Sequence, residues 1–453
     1  MTINPLSNKS TNAQVVDAII EARWIAPVER KQAPLLEYYS IIIQADVIVD
    51  VLPTDDAKTR YTSDNVMCLP EHVVIPGLIN THVHAGMSLM RGIADDVTLM
   101  PWLEQHIWPA EAALLAADYV QDASLLSCAE MLSGGVTCFN EMYFYPQATA
   151  AAVNQAGIRA QLGLTVLEFA THYACDADDY LQKGFDAHDS WRHHTRISSS
   201  IAPHAPYTVS DKTFKKIVTY AEQLGLGIHT HLHETRDEIK QSELQYGMRP
   251  LQRLQKLGVL NPNLVAAHGV HLLPYEIEVL AEYGCHIAHC PSSNLKLGSG
   301  IAPIASLLNR SVNVSLGTDG AASNNRLDMF AEMRLAALLH KGVGEDATII
   351  CAQQALEMAT INAAKALGLE DKVGSISLGK QADLVAVKLS DAAISPCYDP
   401  VSHLVYTCGR EHVTHTWVAG VLQYNNGVYA NIEPIELKEI IQKWQLKHKP
   451  FKH

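Results

Sequence analysis

What most narrows the folds open to this chain is an alternation running from about Val73 to about Leu369. Apolar, β-rich runs recur there as "HVVIPGLINTHVH", "VTCFNEM", "IRAQLGLTVLEF", "ISSSIAPHAP", "LGIHTHLHET", "LVAAHGVHL", "CHIAHCPSSN" and "VNVSLGTDG". Segments with helical periodicity, such as "DKTFKKIVTYAEQLG" and "PYEIEVLAEYG", lie between them. Strands that stay apolar on both faces and alternate with helices form parallel sheets, and eight of them predict a closed (β/α)₈ barrel. An open doubly wound sheet is the alternative, but no GxGxxG follows any of these strands.

Both ends of the chain read differently. "VVDAIIEARWIAPV" and "YYSIIIQADVIVDVLP" near the start, and "GSISLGKQADLVAVKLS" and "VTHTWVAGVLQYNNGVY" near the finish, are strands joined by Gly and Asn-Gly turns. The expected organisation is a barrel over residues 74–372 and a small composite β-sandwich domain built from residues 1–73 and 373–453. The last segment, "ELKEIIQKWQLKHKPFKH", reads as an amphipathic helix with a basic tail, to which no function attaches.

A barrel of this kind carries its chemistry at the C-terminal ends of its strands. Several of the 22 histidines gather there. His82 and His84 end the first strand, His204 follows the fourth, His231 and Glu234 end the fifth, His268 the sixth, His289 the seventh, and Asp319 follows the eighth. Side chains two apart on a strand share a face, so His82 and His84 point the same way. Imidazole and carboxylate ligands suit zinc and similar ions, and a catalytic ion keeps one position for water. The spacing therefore predicts a cage of His82, His84, one histidine of the fifth strand and Asp319. Three candidates, His229, His231 and His233, share a face of that strand. His231 is preferred because Glu234 then lies over the water, with His229 as a packed barrel residue and His233 as a rim residue.

Composition excludes other classes. Lys and Arg total 34 against 48 Asp and Glu, and the net charge of -14 argues against nucleic acid or an anionic membrane as partner. No apolar run is long enough to span a bilayer, and the start lacks the order of a signal peptide. Nine cysteines without a CxxC pair read as reduced thiols, so the cytoplasm is the expected compartment.

The stretches "PGLINTHVHAGMSLMRG", "MLSGGVTCFNEMYF", "HTHLHET", "HCPSSNLKLGSG", "GTDGAASNNRLDMFAEMR" and "LGKQADLVAV" together resemble the amidohydrolase superfamily. More narrowly, they resemble its deaminases of 5'-methylthioadenosine and S-adenosylhomocysteine, relatives of the triazine chlorohydrolases. The resemblance covers almost the whole chain. It implies one divalent metal, zinc foremost, on His82, His84, His231 and Asp319; the stretch "SIAPHAPYT" lacks the lysine that dinuclear relatives use. It further implies attack by an activated water on C6 of adenine. Asp319 would take the water's proton, His268 orient it, and Glu234 protonate N1.

His204 is implied as a substrate contact and Glu111 as the carboxylate on the ribose hydroxyls, against a bland reading as a loop histidine and a solvated helix glutamate. Trp102 either walls the nucleoside pocket or packs a helix. Arg159, at the start of the third strand, is the one candidate there for a substrate carboxylate, and its position favours the neutral methylthio nucleoside. Ser323 and Asn324 tune the pocket or cap the next helix. The resemblance also implies a homo-oligomer acting on a small-molecule nucleoside. Another heterocycle (guanine, 8-oxoguanine or a triazine) is the alternative substrate. A non-catalytic assembly protein of the same fold is a second alternative, but such a chain loses ligands that are all present here.

Overall fold

A computed structural model describes residues 13–29 and 33–451. Eight parallel strands form the central sheet, each pairing with its neighbours in chain order. They are β1 (Leu78–Val83), β2 (Val136–Tyr143), β3 (Arg159–Val166), β4 (Ile197–Pro203), β5 (Gly227–Leu232), β6 (Leu264–His268), β7 (His286–His289) and β8 (Asn313–Leu316). Nearly every residue of these strands is buried, as expected where helices cover the outside and side chains fill the inside. β8 returns to β1 through a few bonds. The Asp319 N–H donates to the His82 carbonyl (2.9 Å), the Thr81 hydroxyl to the Leu316 carbonyl (2.8 Å), and the Thr318 N–H to Asn80 Oδ1 (3.0 Å). The result is the nearly closed (β/α)₈ barrel that the alternation predicts.

The covering helices follow their sequence signals. Asp211–Leu224 starts after Ser210, whose hydroxyl accepts the Thr213 N–H, and buries Phe214, Ile217 and Ala221 at helical spacing. The C-terminal helix, Pro434–His448, buries Ile440 and Trp444 and sets His448 Nε2 3.1 Å from Tyr119 Oη.

Both chain ends share a second sheet of eight strands. Its order is Val428–Tyr429, Val421–Asn425, Val413–Val418, Leu384–Lys388, Val66–Pro76, Ala18–Ile25, Leu36–Gln44 and Val47–Pro53. Pairing is antiparallel except between Ala18–Ile25 and Val66–Pro76. Alternating side chains bury both faces: Ile41 and Ile43 enter one apolar cluster, and Ile42 enters another.

The run "HVVIPGLINTHVH" is not one strand. Gly77 divides it, leaving Val73 to Pro76 in the small sheet and starting the barrel at Leu78. A Cβ at residue 77 would lie 2.0 Å from Thr137 Oγ1, so only glycine passes the chain between the two sheets.

Candidate metal centre and active site

Five groups from the strand ends converge at the C-terminal mouth of the barrel. The ligand atoms of His82, His231 and His268 lie within 4.8 Å of one another, as do those of His82, His84 and Asp319. His84 Nε2 is 3.1 Å from Asp319 Oδ1 and 3.4 Å from His231 Nε2. The inner ring nitrogens are engaged elsewhere. His84 Nδ1 donates to the Met142 carbonyl (2.5 Å), His231 Nδ1 donates to the His204 carbonyl (2.6 Å), and His82 Nδ1 lies 2.9 Å from His229 Nε2. These contacts leave the Nε2 atoms facing the centre, and His82 Nε2 is buried without a hydrogen bond among the described residues. A carboxylate and imidazoles whose Nδ1 atoms are tied back are what a divalent ion takes, so the residues fit one. Burial also keeps two of the histidines ready to ligate. It pushes the pKa of His82 down to about 4 and that of His231 well below the ordinary range, so both stay neutral.

Asp319 is held from several sides. Burial alone would raise its pKa, but His82 and His84 hold it well below the usual carboxylate range. Its Oδ2 accepts from Ser293 Oγ (2.6 Å) and Ser323 Oγ (2.8 Å), and Oδ1 accepts the Gly320 N–H (2.7 Å). Asp319 and His268 both have left-handed backbone, with φ of 61° and 72°, a strain typical of residues fixed by a functional site. His268 Nδ1 sits 2.8 Å from Asn294 Oδ1, and its Nε2 is 3.8 Å from Glu234 Oε2. Burial raises the pKa of Glu234, favouring a carboxyl that carries a proton.

A cavity of about 870 Å³, its mouth included, opens over this cluster. His84, His204, His231, Glu234, His268, Asp319 and Ser323 form its polar end, and Trp102, Trp108, Leu167 and Phe169 stand among its apolar walls. Glu111 lines it too, half-buried, and accepts a hydrogen bond from Tyr143 Oη at 2.6 Å. Burial pushes the Glu111 carboxyl up to about 7. No Lys or Arg lines the cavity among the described residues. Trp102 is buried against that wall, and His204 Nδ1 is 3.1 Å from Thr208 Oγ1.

Other expected positions fall away from this chamber. Arg159 is a correction: at the N-terminal end of β3 it lies at the other end of the barrel from the cavity. It is buried there in an ion pair with Asp383 of the small sheet domain (Nε to Oδ2, 3.0 Å). It therefore has no route to a substrate carboxylate. His289 faces His340 (3.3 Å between their Nε2 atoms) instead of the cluster. Asn324 donates to the Thr318 carbonyl and to Glu332, fixing the loop after β8. His233 accepts the Leu251 N–H on the far side of its strand. Residues not singled out from sequence include Ser293, Asn294, Glu141 and Tyr143. Glu141 and Tyr143 lie in β2, where strand alternation marks a shared face but not the partners they meet, and Ser293 and Asn294 lie in the short helix Pro291–Lys296 just past β7.

Residues 73–422 match the amidohydrolase family. The chain is 47% identical over 410 residues to a 5-methylthioadenosine/S-adenosylhomocysteine deaminase of Teredinibacter turnerae, covering 90% of this chain and 92% of that one. It is 42% identical over 408 residues to a 5'-deoxyadenosine deaminase of Methanosarcina mazei, at 90% and 92% coverage. A solved adenosine deaminase from Xanthomonas campestris with bound zinc superposes with a TM-score of 0.95 at 43% identity, over 97% of this chain and all of that one. Likeness of this extent, over a barrel whose strand ends assemble such a cage, settles the family: the chain belongs to the amidohydrolases.

Proposed function

We propose that this chain is a metal-dependent aminohydrolase that replaces the 6-amino group of a free adenine nucleoside, 5'-methylthioadenosine foremost, with oxygen and releases ammonia. The observation that carries the reading is the single chamber in which the ligand cage, Glu234 and Glu111 face one another between apolar walls. The deaminase relatives support the same substrate class.

His82, His84, His231 and Asp319 would hold a divalent ion, zinc by analogy with the Xanthomonas neighbour, which would supply a water activated near neutral pH. Asp319, ionised and anchored by two serines, accepts the proton of the attacking water. Glu234, whose burial favours the protonated carboxyl, delivers its proton to N1 of the purine and relays the next to the departing amine. His268, fixed through Asn294, faces the charge that develops on oxygen. Glu111 accepts from the ribose hydroxyls, His204 and Ser323 bound the purine end, and Trp102 with its aromatic neighbours encloses the 5' substituent. A wall without Lys or Arg favours a neutral 5' group over a phosphate.

A cytoplasmic setting belongs to the same reading, supported by nine cysteines that are all free. The net charge of -14 supports the absence of nucleic-acid and membrane partners, and no helix among the described residues is long and apolar enough to cross a membrane. Assembly as a homo-oligomer rests on the family.

The test is ammonia release from 5'-methylthioadenosine, adenosine, guanine and a triazine by the metal-loaded enzyme. Turnover of the adenine nucleosides is expected; activity confined to guanine or a triazine would overturn the substrate. Elemental analysis should find about one transition metal per chain, and two would overturn a mononuclear centre.

A further inference from the structure

We propose that Tyr143 is a positioning residue that fixes Glu111 at a set distance from the metal cage and so gives the site its preference for a ribonucleoside. The inference rests on the reading above, in which Glu111 meets the ribose hydroxyls. Three consecutive residues at the end of β2 each hold a different part of the site. The Glu141 carboxylate accepts the N–H of Ala85, the residue after His84, at 3.0 Å. The Met142 carbonyl accepts from His84 Nδ1 at 2.5 Å. Tyr143 Oη donates to Glu111 Oε1 at 2.6 Å. One strand end thus grips the cage on one side and the ribose-binding carboxylate on the other.

Tyr143 is well placed for this work. Its ring leaves no room for a side chain at Gly86, where a Cβ would lie 2.2 Å from Cδ1, and its carbonyl accepts from Thr165 Oγ1 at 2.9 Å. Glu111 has no comparable anchor of its own. It projects from the short helix Trp108–Leu114, which follows the cavity-lining Leu99, Trp102 and Leu103, and Tyr143 is the side-chain donor to its carboxylate among the described residues. A phenol on a rigid strand therefore determines where a carboxylate on a covering helix points. The span from cage to Glu111 selects molecules that present a purine C6 at one end and a diol at the other.

The experiment is Tyr143→Phe in the metal-loaded enzyme, with adenosine and 2',3'-dideoxyadenosine as the substrate pair. The KM for adenosine should rise about tenfold, as for loss of one hydrogen bond to a charged group. The KM for the dideoxynucleoside should stay within about twofold, and kcat and metal content should hold for both. Glu111→Gln should reproduce the selective loss, and Tyr143→Phe added to it should have less than about a twofold further effect. An equal rise for both substrates, or no rise, would overturn the role of Tyr143. A wild-type enzyme that does not prefer adenosine would instead overturn the assignment of Glu111 beneath it.

Discussion

Replacing Arg159 with Met tests whether that residue serves the fold or the substrate. Its guanidinium donates from Nε to Asp383 Oδ2 (3.0 Å) and from Nη2 to Asp383 Oδ1 (3.1 Å). It also donates to Gln381 Oε1 (2.7 Å) and the Thr195 carbonyl (3.2 Å). Both members of the pair are 3% exposed. Methionine keeps much of the stem but withdraws the charge, and Asp383 then retains only the Ala419 N–H at 2.7 Å among these partners. Removing one member of a buried pair costs about 3–5 kcal/mol, because the other stays charged in a dry place. That is a large share of a typical total of about 5–15 kcal/mol. With an m-value of about 3 kcal/mol/M, the urea midpoint should fall by ~1–1.7 M. Replacing Asp383 by Leu in the same chain should restore part of the loss, since the uncompensated charge is then gone. Below the transition, kcat/KM for 5'-methylthioadenosine and S-adenosylhomocysteine should be unchanged. A midpoint that does not move, or a KM that rises only for S-adenosylhomocysteine, would refute the structural assignment.

Four other outcomes follow from the site. Asp319→Ala should abolish turnover and cut bound metal to below about a tenth of the wild-type level by elemental analysis, since it removes a ligand and a base together. Glu234→Gln should lower kcat by about 10²–10⁴-fold with little change in KM, as steady-state kinetics would show. His229→Ala takes away the group 2.9 Å from His82 Nδ1 and should weaken metal affinity by about 10–100-fold in a chelator competition. Glu111, lifted by burial to about 7, loses its charge as pH falls through that value. The KM for adenosine should then rise about tenfold between pH 8 and pH 6, while that for 2',3'-dideoxyadenosine stays level.

The barrel was legible because its strands are short apolar runs separated by helices, and period-two spacing made His82 and His84 a pair before any fold was known. That His82, His84, His231 and Asp319 converge needed only the rule that strand ends meet at one mouth. Depth was not legible. His229, His231 and His233 share a strand face by spacing alone. In space His229 lies behind His82, His231 reaches the cage, and a left-handed φ of 54° at His233 turns it out of register toward Leu251. Arg159 misled because its partner, Asp383, is 224 residues downstream, and nothing local announces such a contact. The contribution of the seventh strand was also hidden. Its last histidine turns to a covering helix, while Ser293 and Asn294, just beyond, support Asp319 and His268.

The small sheet has a consequence for synthesis. Strand Val66–Pro76 lies between Ala18–Ile25 and Leu384–Lys388, so one of its edges waits for a partner made some 300 residues later. At ~5–20 residues per second, a ribosome takes about 15–60 s to cover that interval. Throughout it the nascent chain carries an apolar strand edge of the kind that recruits other chains. The barrel between the two halves has time to close first and then bring the late strands to the early ones, through Gly77 and the Arg159–Asp383 pair. Translation stalled between the barrel and residue 384 would therefore leave a closed barrel on a molecule prone to aggregate.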